Sequence, residues 1–169
     1  MVFSPSALLR VLAFVALCFF SDRSLCAETG SAPGKLAVKW GSDLFGWWKI
    51  ELEDQNVIYT KHYADKPEDR IQNTPQANDW KTFRKDLDEL RVWQWRSSYP
   101  NTAGVVDGAQ WTAEIVYSDK FLKVAADNNY PDANGRAVPD LRSTDTFRSF
   151  VAALWKLMGN TTEAKPPTN

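Results

Sequence analysis

The sequence predicts an α+β domain in which an antiparallel sheet of about five strands carries two helices on one face. Two segments alternate large apolar residues with polar or charged ones, the period of a half-buried strand, and each returns through a short polar turn. Two further segments place apolar residues at helical spacing on one face. The predicted order of elements is ββα-β-ββα.

In the first unit, residues 47–53 form a predicted strand, 54–56 (DQN) the turn and 57–63 (VIYTKHY) the partner strand. A loop rich in proline, aspartate and asparagine follows. We expect Asp79 to cap the next helix. The apolar residues on one face of this helix are Trp80, Phe83, Leu87 and Leu90.

Residues 92–96 (VWQWR) form the predicted intervening strand. In the second unit, residues 111–117 and 121–126 form the two predicted strands, and Thr144 or Asp145 caps the second helix. Gly159 lies where a helix end favours a positive φ. The apolar residues predicted for this helix are Phe147, Phe150, Val151, Leu154, Leu157 and Met158.

The two units show similar internal spacing. Trp47 to Phe83 and Trp111 to Phe147 are each 36 residues apart, whereas the strands align best at an offset of 63. An internal duplication explains this spacing. The alternative is that any two hairpin–helix units look alike at this level, and the sequence leaves both open.

The N-terminus predicts a secretory signal peptide. Residues 1–10 contain a single charge, residues 11–20 are an unbroken apolar run, and the following polar segment ends on the small residue Ala27. A run of ten residues is short for a membrane span, which needs about 20, and Cys26 lacks the small residues that would precede a lipidated cysteine. We expect cleavage after Ala27, with an uncleaved anchor as the alternative.

This signal predicts an exported protein, periplasmic or extracellular, in a bacterium. The predicted divisions are a signal peptide at 1–27, a flexible leader at 28–38, one α+β domain at 39–160 and a disordered tail at 161–169. Both cysteines lie in the signal peptide, so the mature chain has no disulfide and depends on its core.

The net charge of the mature chain bears on its expected partners. Removal of residues 1–27 takes away two arginines and one aspartate, which changes the formal net charge from −1 to −2. Nothing in that balance favours nucleic acid or an anionic membrane surface. Membrane contact is expected only through the signal peptide before cleavage, and the expected partner is an envelope ligand or protein.

Metal and nucleophilic chemistry have little support. His62 is the only histidine and the mature chain has no cysteine, so neither a multi-histidine nor a thiolate zinc site can form. Residues 132–135 (DANG) resemble part of a calcium loop, but the register places Tyr130 and Leu141 at ligand positions, and a turn explains them better. No glycine-rich phosphate loop or nucleophile motif is present. We expect no cofactor and no metal.

All eight tryptophans lie beyond residue 27, and they suit either a dense core or a sugar-stacking surface. One candidate site remains. Its ligand-binding residues are Trp93, Trp95, Tyr99, Asp107, Trp111, Glu114, Asn128 and Tyr130. If Asp107 and Glu114 approached each other, the pair could support glycoside hydrolysis. The alternative is that the tryptophans face the helices as core, residues 107–108 make a turn and Glu114 is solvated.

The same region carries a resemblance. The motif residues are Trp93-x-Trp95, Tyr99, Asp107-Gly108, Trp111, Glu114-Ile115 and Asn128-x-Tyr130-Pro131. Their order resembles that of a secreted domain of small bacterial proteins with the pattern WxW, Y, DGxxWxxEI and NxYP followed by a helix. That family tends to have glycine where this chain has Ala126. The family has no established activity, so the resemblance implies a domain type and no function.

The sequence therefore favours an exported, non-catalytic domain that binds a ligand or partner at the cell envelope. A small glycosidase-like hydrolase and a purely structural or assembly module are the alternatives. The direction of Trp93, Trp95 and Trp111 discriminates most, because burial beneath the helices would remove most of the support for an aromatic binding face.

Overall fold

The computed structural model describes residues 31–43, 46–63, 66–102, 104, 108–139 and 143–159. The predicted signal peptide and the predicted C-terminal tail lie outside these residues. The strands are β1 Lys35–Ser42, β2 Gly46–Glu53, β3 Asn56–Tyr63, β4 Lys66–Asn73, β5 Ser98–Tyr99, β6 Gln110–Val116, β7 Phe121–Asp127, β8 Asn129–Pro131 and β9 Ala137–Pro139. The helices are α1 Ala77–Glu89 and α2 Asp145–Leu157, and Val92–Gln94 form a short 3₁₀ helix.

The fold is α+β, with one large and mostly antiparallel sheet in the order β4-β3-β2-β1-β6-β7-β5. Among the described strands, only the short β5 pairs in parallel, with β7. Strands β8 and β9 form a separate two-stranded sheet. The main sheet therefore has seven described strands, and the prediction of about five was too low.

The additional strands differ in how visible they are in the sequence. In β1, Leu36, Val38 and Trp40 are buried and alternate with more exposed residues, so this strand shows the same period-two signal as the predicted ones. It begins at Lys35, inside the segment 28–38 predicted as a flexible leader. Strand β4 (KPEDRIQN) lies in the predicted loop, and Ile71 is its one large apolar residue, as an edge strand permits.

The intervening strand predicted at 92–96 is wrong. Helix α1 ends at Glu89 with Leu90 as its C-cap, and Arg91 then adopts a left-handed backbone conformation with φ +53°. The chain continues as the 3₁₀ helix Val92–Gln94, in which successive residues point in three directions rather than two. Trp93 and Trp95 therefore do not share a strand face as predicted.

The helix ends are stabilised locally. Thr144 caps α2 as predicted, and its hydroxyl accepts a hydrogen bond from the backbone N–H of Phe147 (3.2 Å). Gly159 has the predicted positive φ, +75°. The residue that caps α1 is Gln76 rather than Asp79, whose carboxylate instead accepts the backbone N–H of Gln76 (2.8 Å) as the third residue of a capping box.

Both helices pack against each other and on one face of the sheet. The period-two pattern of the central strands supplies the core side chains to that face and mostly polar ones to the other, where Trp47 and the buried Ile58 are exceptions. The buried core residues include Leu36, Val38, Trp40, Trp48, Ile50, Tyr59, Trp80, Phe83, Leu87, Trp111, Ile115, Leu122, Phe147, Phe150, Leu154 and Trp155. The aromatic excess therefore serves mainly as core.

The topology does not support a duplication. Strands β2 and β6 are both antiparallel to β1 and so run in the same direction, but their hairpins extend to opposite sides of it. Both units have their helix on the same face of the sheet. No rotation superimposes two such units, because their arrangement is that of mirror images. Similar spacing in two hairpin–helix units explains the pattern without a repeat.

Candidate functional site

Most aromatic residues of the predicted site come together, but in the core. Trp111 is fully buried, with its ring centroid 4.6 Å from Phe147, 6.1 Å from Tyr99 and 6.4 Å from Tyr130. Its indole N–H donates to the carbonyl of Asn129 (3.1 Å). These are the contacts of a core residue with a satisfied polar atom, and the support for an aromatic binding face at Trp111 is removed.

Trp95 and Tyr99 are also buried. The Trp95 ring lies 5.3 Å from Phe150 of α2. The Tyr99 hydroxyl accepts the backbone N–H of Arg96 (3.0 Å) and donates to the carbonyl of Gly135 (2.9 Å), and burial raises the pKa of Tyr99. Tyr99 therefore joins β5 to the turn between β8 and β9. A ligand role for these residues stays a prediction.

Asn128 has a conformational role. It adopts a positive φ (+46°) between β7 and β8, and its backbone N–H donates to the carbonyl of Ala109 (2.9 Å). A Cβ at Gly108 would lie within 2.0 Å of the Asn128 side chain, so only glycine fits there. Ala126, where the resembling family tends to have glycine, lies inside β7 and needs no positive φ.

The proposed carboxylate pair is only partly within the described residues. Glu114 lies on the helix-free face of β6, and its carboxylate contacts the Lys35 ammonium at 2.7 Å. The hydrogen bond from Lys35 lowers the pKa of Glu114. Asp107 lies outside the described residues. A glycosidase requires one carboxylic acid with a raised pKa, and Glu114 does not meet that requirement.

Residues 132–135 form the turn that the sequence favoured over a calcium loop. The Asp132 carboxylate accepts the backbone N–H groups of Asn134 and Arg136, both at 2.8 Å. His62 is exposed on β3, with its ring 3.6 Å from the Glu68 carboxylate. Within the described residues, no group of three or more histidines, cysteines or carboxylates is placed to hold a metal ion.

A groove of about 360 Å³ lies between β7 and the segment that follows α1. We call it the β7 groove. The residues that line it are Trp93, Trp95, Ser97, Asp119, Lys120, Phe121, Leu122 and Lys123. Phe121 is 71% exposed, more than any other large apolar residue described. The groove therefore presents apolar surface that the core does not use.

Trp93 is the one predicted aromatic that is not fully buried. Its indole N–H donates to Asp88 (2.6 Å), and its ring lies 5.1 Å from the Arg84 guanidinium. Arg84, only 6% exposed, also donates two hydrogen bonds to Asp119 (3.0 and 2.8 Å) and packs on the Tyr117 ring. This cluster fixes the wall of the β7 groove to helix α1.

The outer edge of the first half of β7 is unpaired among the described residues. The backbone N–H of Tyr117 donates to Lys120, so every second residue from Lys120 onward bonds to β6. Phe121 and Lys123 therefore direct their N–H and C=O groups away from β6. The next outward N–H, that of Ala125, donates to Ser97 (3.0 Å). No described strand pairs with the backbone of Phe121 or Lys123.

Sequence reasoning missed Phe121 and Lys123, although a signal was present. In the segment FLKVAA, Leu122 and Val124 lie on the same face of the sheet as the buried residues of β6. Phe121 then lies on the opposite face, together with Lys123. A large aromatic residue out of phase with the core is the pattern of an exposed contact residue.

No helix among the described residues is both long and apolar enough to cross a membrane. Neither a protein-family model nor a curated protein matches the chain. The resemblance to the small bacterial domain therefore stays a prediction, and the site must be interpreted from its own geometry.

Proposed function

We propose that the chain is an exported, non-catalytic domain that binds a ligand or partner of the bacterial cell envelope. The observation that carries this proposal is the β7 groove, where Phe121 and the half-buried Trp93 border an unpaired strand edge. An unpaired strand edge presents backbone donors and acceptors with which another chain can pair. The apolar run at 11–20 supports export.

None of the carboxylates with a resolved pKa shift has the property expected of a general acid. The carboxylates with resolved shifts, Asp88, Asp119, Asp132 and Glu114, all have lowered pKa values. Each is held in its charged form by a basic side chain or by backbone N–H groups, as structural carboxylates are. A general acid at neutral pH would require a shift in the opposite direction.

Capture from envelope fractions tests the proposal. The purified protein is immobilised and exposed to detergent-solubilised membranes, periplasmic extract and isolated cell wall of the host. We expect retention of an envelope component, with loss of retention for Phe121→Ser. The matched control is Trp47→Ser, which removes an aromatic residue from the same sheet face, where it packs under Lys39. Failure to retain any envelope component would contradict the proposal.

A further inference from the structure

We propose that the occupant of the β7 groove is an extended, acidic peptide segment of a partner protein, which adds to the sheet as a strand beside residues 121–124. This inference rests on the proposed binding function and specifies its mode. Strand addition uses main-chain hydrogen bonds for affinity and alternate side chains for specificity.

The backbone of β7 favours strand addition at this edge. Phe121 and Lys123 direct their N–H and C=O groups outward, and β5 covers β7 only at Ala125 and Ala126. Strand β5 is two residues long, and the chain before it departs into the 3₁₀ helix. The β7 groove occupies the space that a longer β5 would fill. An extended peptide placed there would extend the sheet at this edge.

The two edges of the sheet differ in how they are protected against pairing with another chain. Strand β4 carries the charged residues Glu68, Asp69 and Arg70 and begins with Lys66-Pro67. Charges and proline on an edge strand prevent pairing with other chains. The β7 edge instead displays Phe121 at 71% exposure. One edge is protected against strand addition, and the other is not.

The groove also carries a net positive charge. In its wall, Arg84 and Lys120 share the carboxylates of Asp88 and Asp119. Lys123 adds a third positive charge, because the carboxylate opposite it, that of Glu114, is already bonded to Lys35. Three positive charges against two negative ones favour an acidic segment. A second copy of this chain fits less well, because it would bring two edges of the same net positive charge together.

Selection from a random library of twelve-residue phage-displayed peptides tests the inference. We expect the selected peptides to alternate β-branched or aromatic residues with polar ones and to be enriched in aspartate and glutamate. Fluorescence anisotropy then compares the variants Lys123→Ala and Lys123→Pro. Both remove the charge, but only proline removes the outward N–H. Because Lys123→Pro loses one hydrogen bond and places a proline ring against the peptide, it should weaken binding at least about tenfold more than Lys123→Ala does.

Methylation of the peptide's own backbone nitrogens gives a second readout that does not depend on the folding of Lys123→Pro. Along a bound strand, alternate N–H groups point toward β7 and away from it. Methylation of the nitrogens that point toward β7 should abolish binding, and methylation of the others should leave it nearly unchanged. Three results would overturn the inference: no selected binder, equal binding of the two methylated peptides, or a β7-edge dimer in light scattering that Lys123→Pro dissociates. Failure here with Phe121-dependent envelope capture intact would refute the mode and leave the binding function standing.

Discussion

Trp111 and Trp93 have the same side chain but opposite environments. Trp111 lies beneath α2 among four aromatic rings, with its N–H bonded to a buried backbone carbonyl. Trp93 donates to a partly exposed carboxylate and forms one wall of an open groove. Burial and the chemistry of the acceptor, rather than the residue type, separate a core tryptophan from a surface one.

Substitution of each by phenylalanine should show this difference. Trp111→Phe leaves a cavity and an unpaired carbonyl in the core, which should cost about 2–3 kcal/mol of unfolding free energy. Trp93→Phe loses a bond that water can replace and should cost less than about 1 kcal/mol. Urea denaturation of both variants measures the two values, and equal costs would contradict the placement.

Gly108 provides a second test at the residue scale. In Gly108→Ala the new methyl group would overlap the buried Asn128 side chain, and the forced shift should cost about 1–3 kcal/mol. In the control Gly34→Ala the new Cβ would lie 3.7 Å from the Val116 carbonyl, an ordinary contact, so stability should change by less than about 0.5 kcal/mol. Thermal unfolding followed by circular dichroism distinguishes the two outcomes.

Among the elements, α1 and the turn between β6 and β7 are joined by charge as well as by packing. Arg84 of α1 bonds to Asp119 in that turn and to Asp88 on its own helix, and Lys120 bonds to Asp88 (2.9 Å). The Arg84 guanidinium lies over the rings of Trp93 and Tyr117. One side chain thus positions the helix, the turn and the groove wall.

This cluster predicts a pH dependence. The hydrogen bond from Arg84 lowers the pKa of Asp119 below its ordinary value of 3.8. A carboxylate with a lowered folded-state pKa stabilises the protein above its unfolded pKa, and that contribution is lost as the pH falls through the folded value. Arg84→Met should therefore cost stability at pH 7, about 2 kcal/mol from lost bonds and ring contacts. It should cost distinctly less near about pH 2.5.

Urea titrations at both pH values measure the difference. The control is Lys85→Met, which removes a highly exposed lysine from the same helix and should change stability by less than about 0.5 kcal/mol at either pH. A cost for Arg84→Met that does not change with pH would assign the effect to packing alone.

The elements also show what the sequence can predict. Strands β2, β3, β6 and β7 and both helices follow from regular apolar spacing. The 3₁₀ helix at Val92 does not, because it depends on the left-handed turn at Arg91, which is neither glycine nor asparagine. Strand β4 carries no apolar pattern because pairing with β3, and not burial, defines it.

The candidate site shows a similar limit. Sequence reasoning grouped Trp95, Tyr99, Trp111 and Tyr130, and the structure does bring these rings together. The sequence does not determine which way these rings point, because an aromatic cluster has the same spacing whether it faces a helix or a ligand. That direction depends on where α2 packs, which is a property of the whole fold.

For the whole molecule, the two faces and two edges of the sheet have separate functions. One face is core, the other is mainly polar, one edge is protected by charge, and no described strand covers the β7 edge at Phe121 and Lys123. The binding proposal depends on that last feature. If the edge were already covered in solution, the β7 groove would have no unpaired backbone to offer a partner.

Residue-resolved amide hydrogen exchange, measured by NMR on the free protein, tests most directly whether the backbone of the β7 edge is unpaired. Leu122 and Val124 donate toward β6, so their amides should exchange slowly, whereas the outward amides of Phe121 and Lys123 should exchange quickly. We predict this alternation of exchange rates along β7. When an extended peptide binds, amide exchange should slow at Phe121 and Lys123 alone. Protection of Phe121 and Lys123 equal to that of Leu122 and Val124 in the free protein would contradict this prediction.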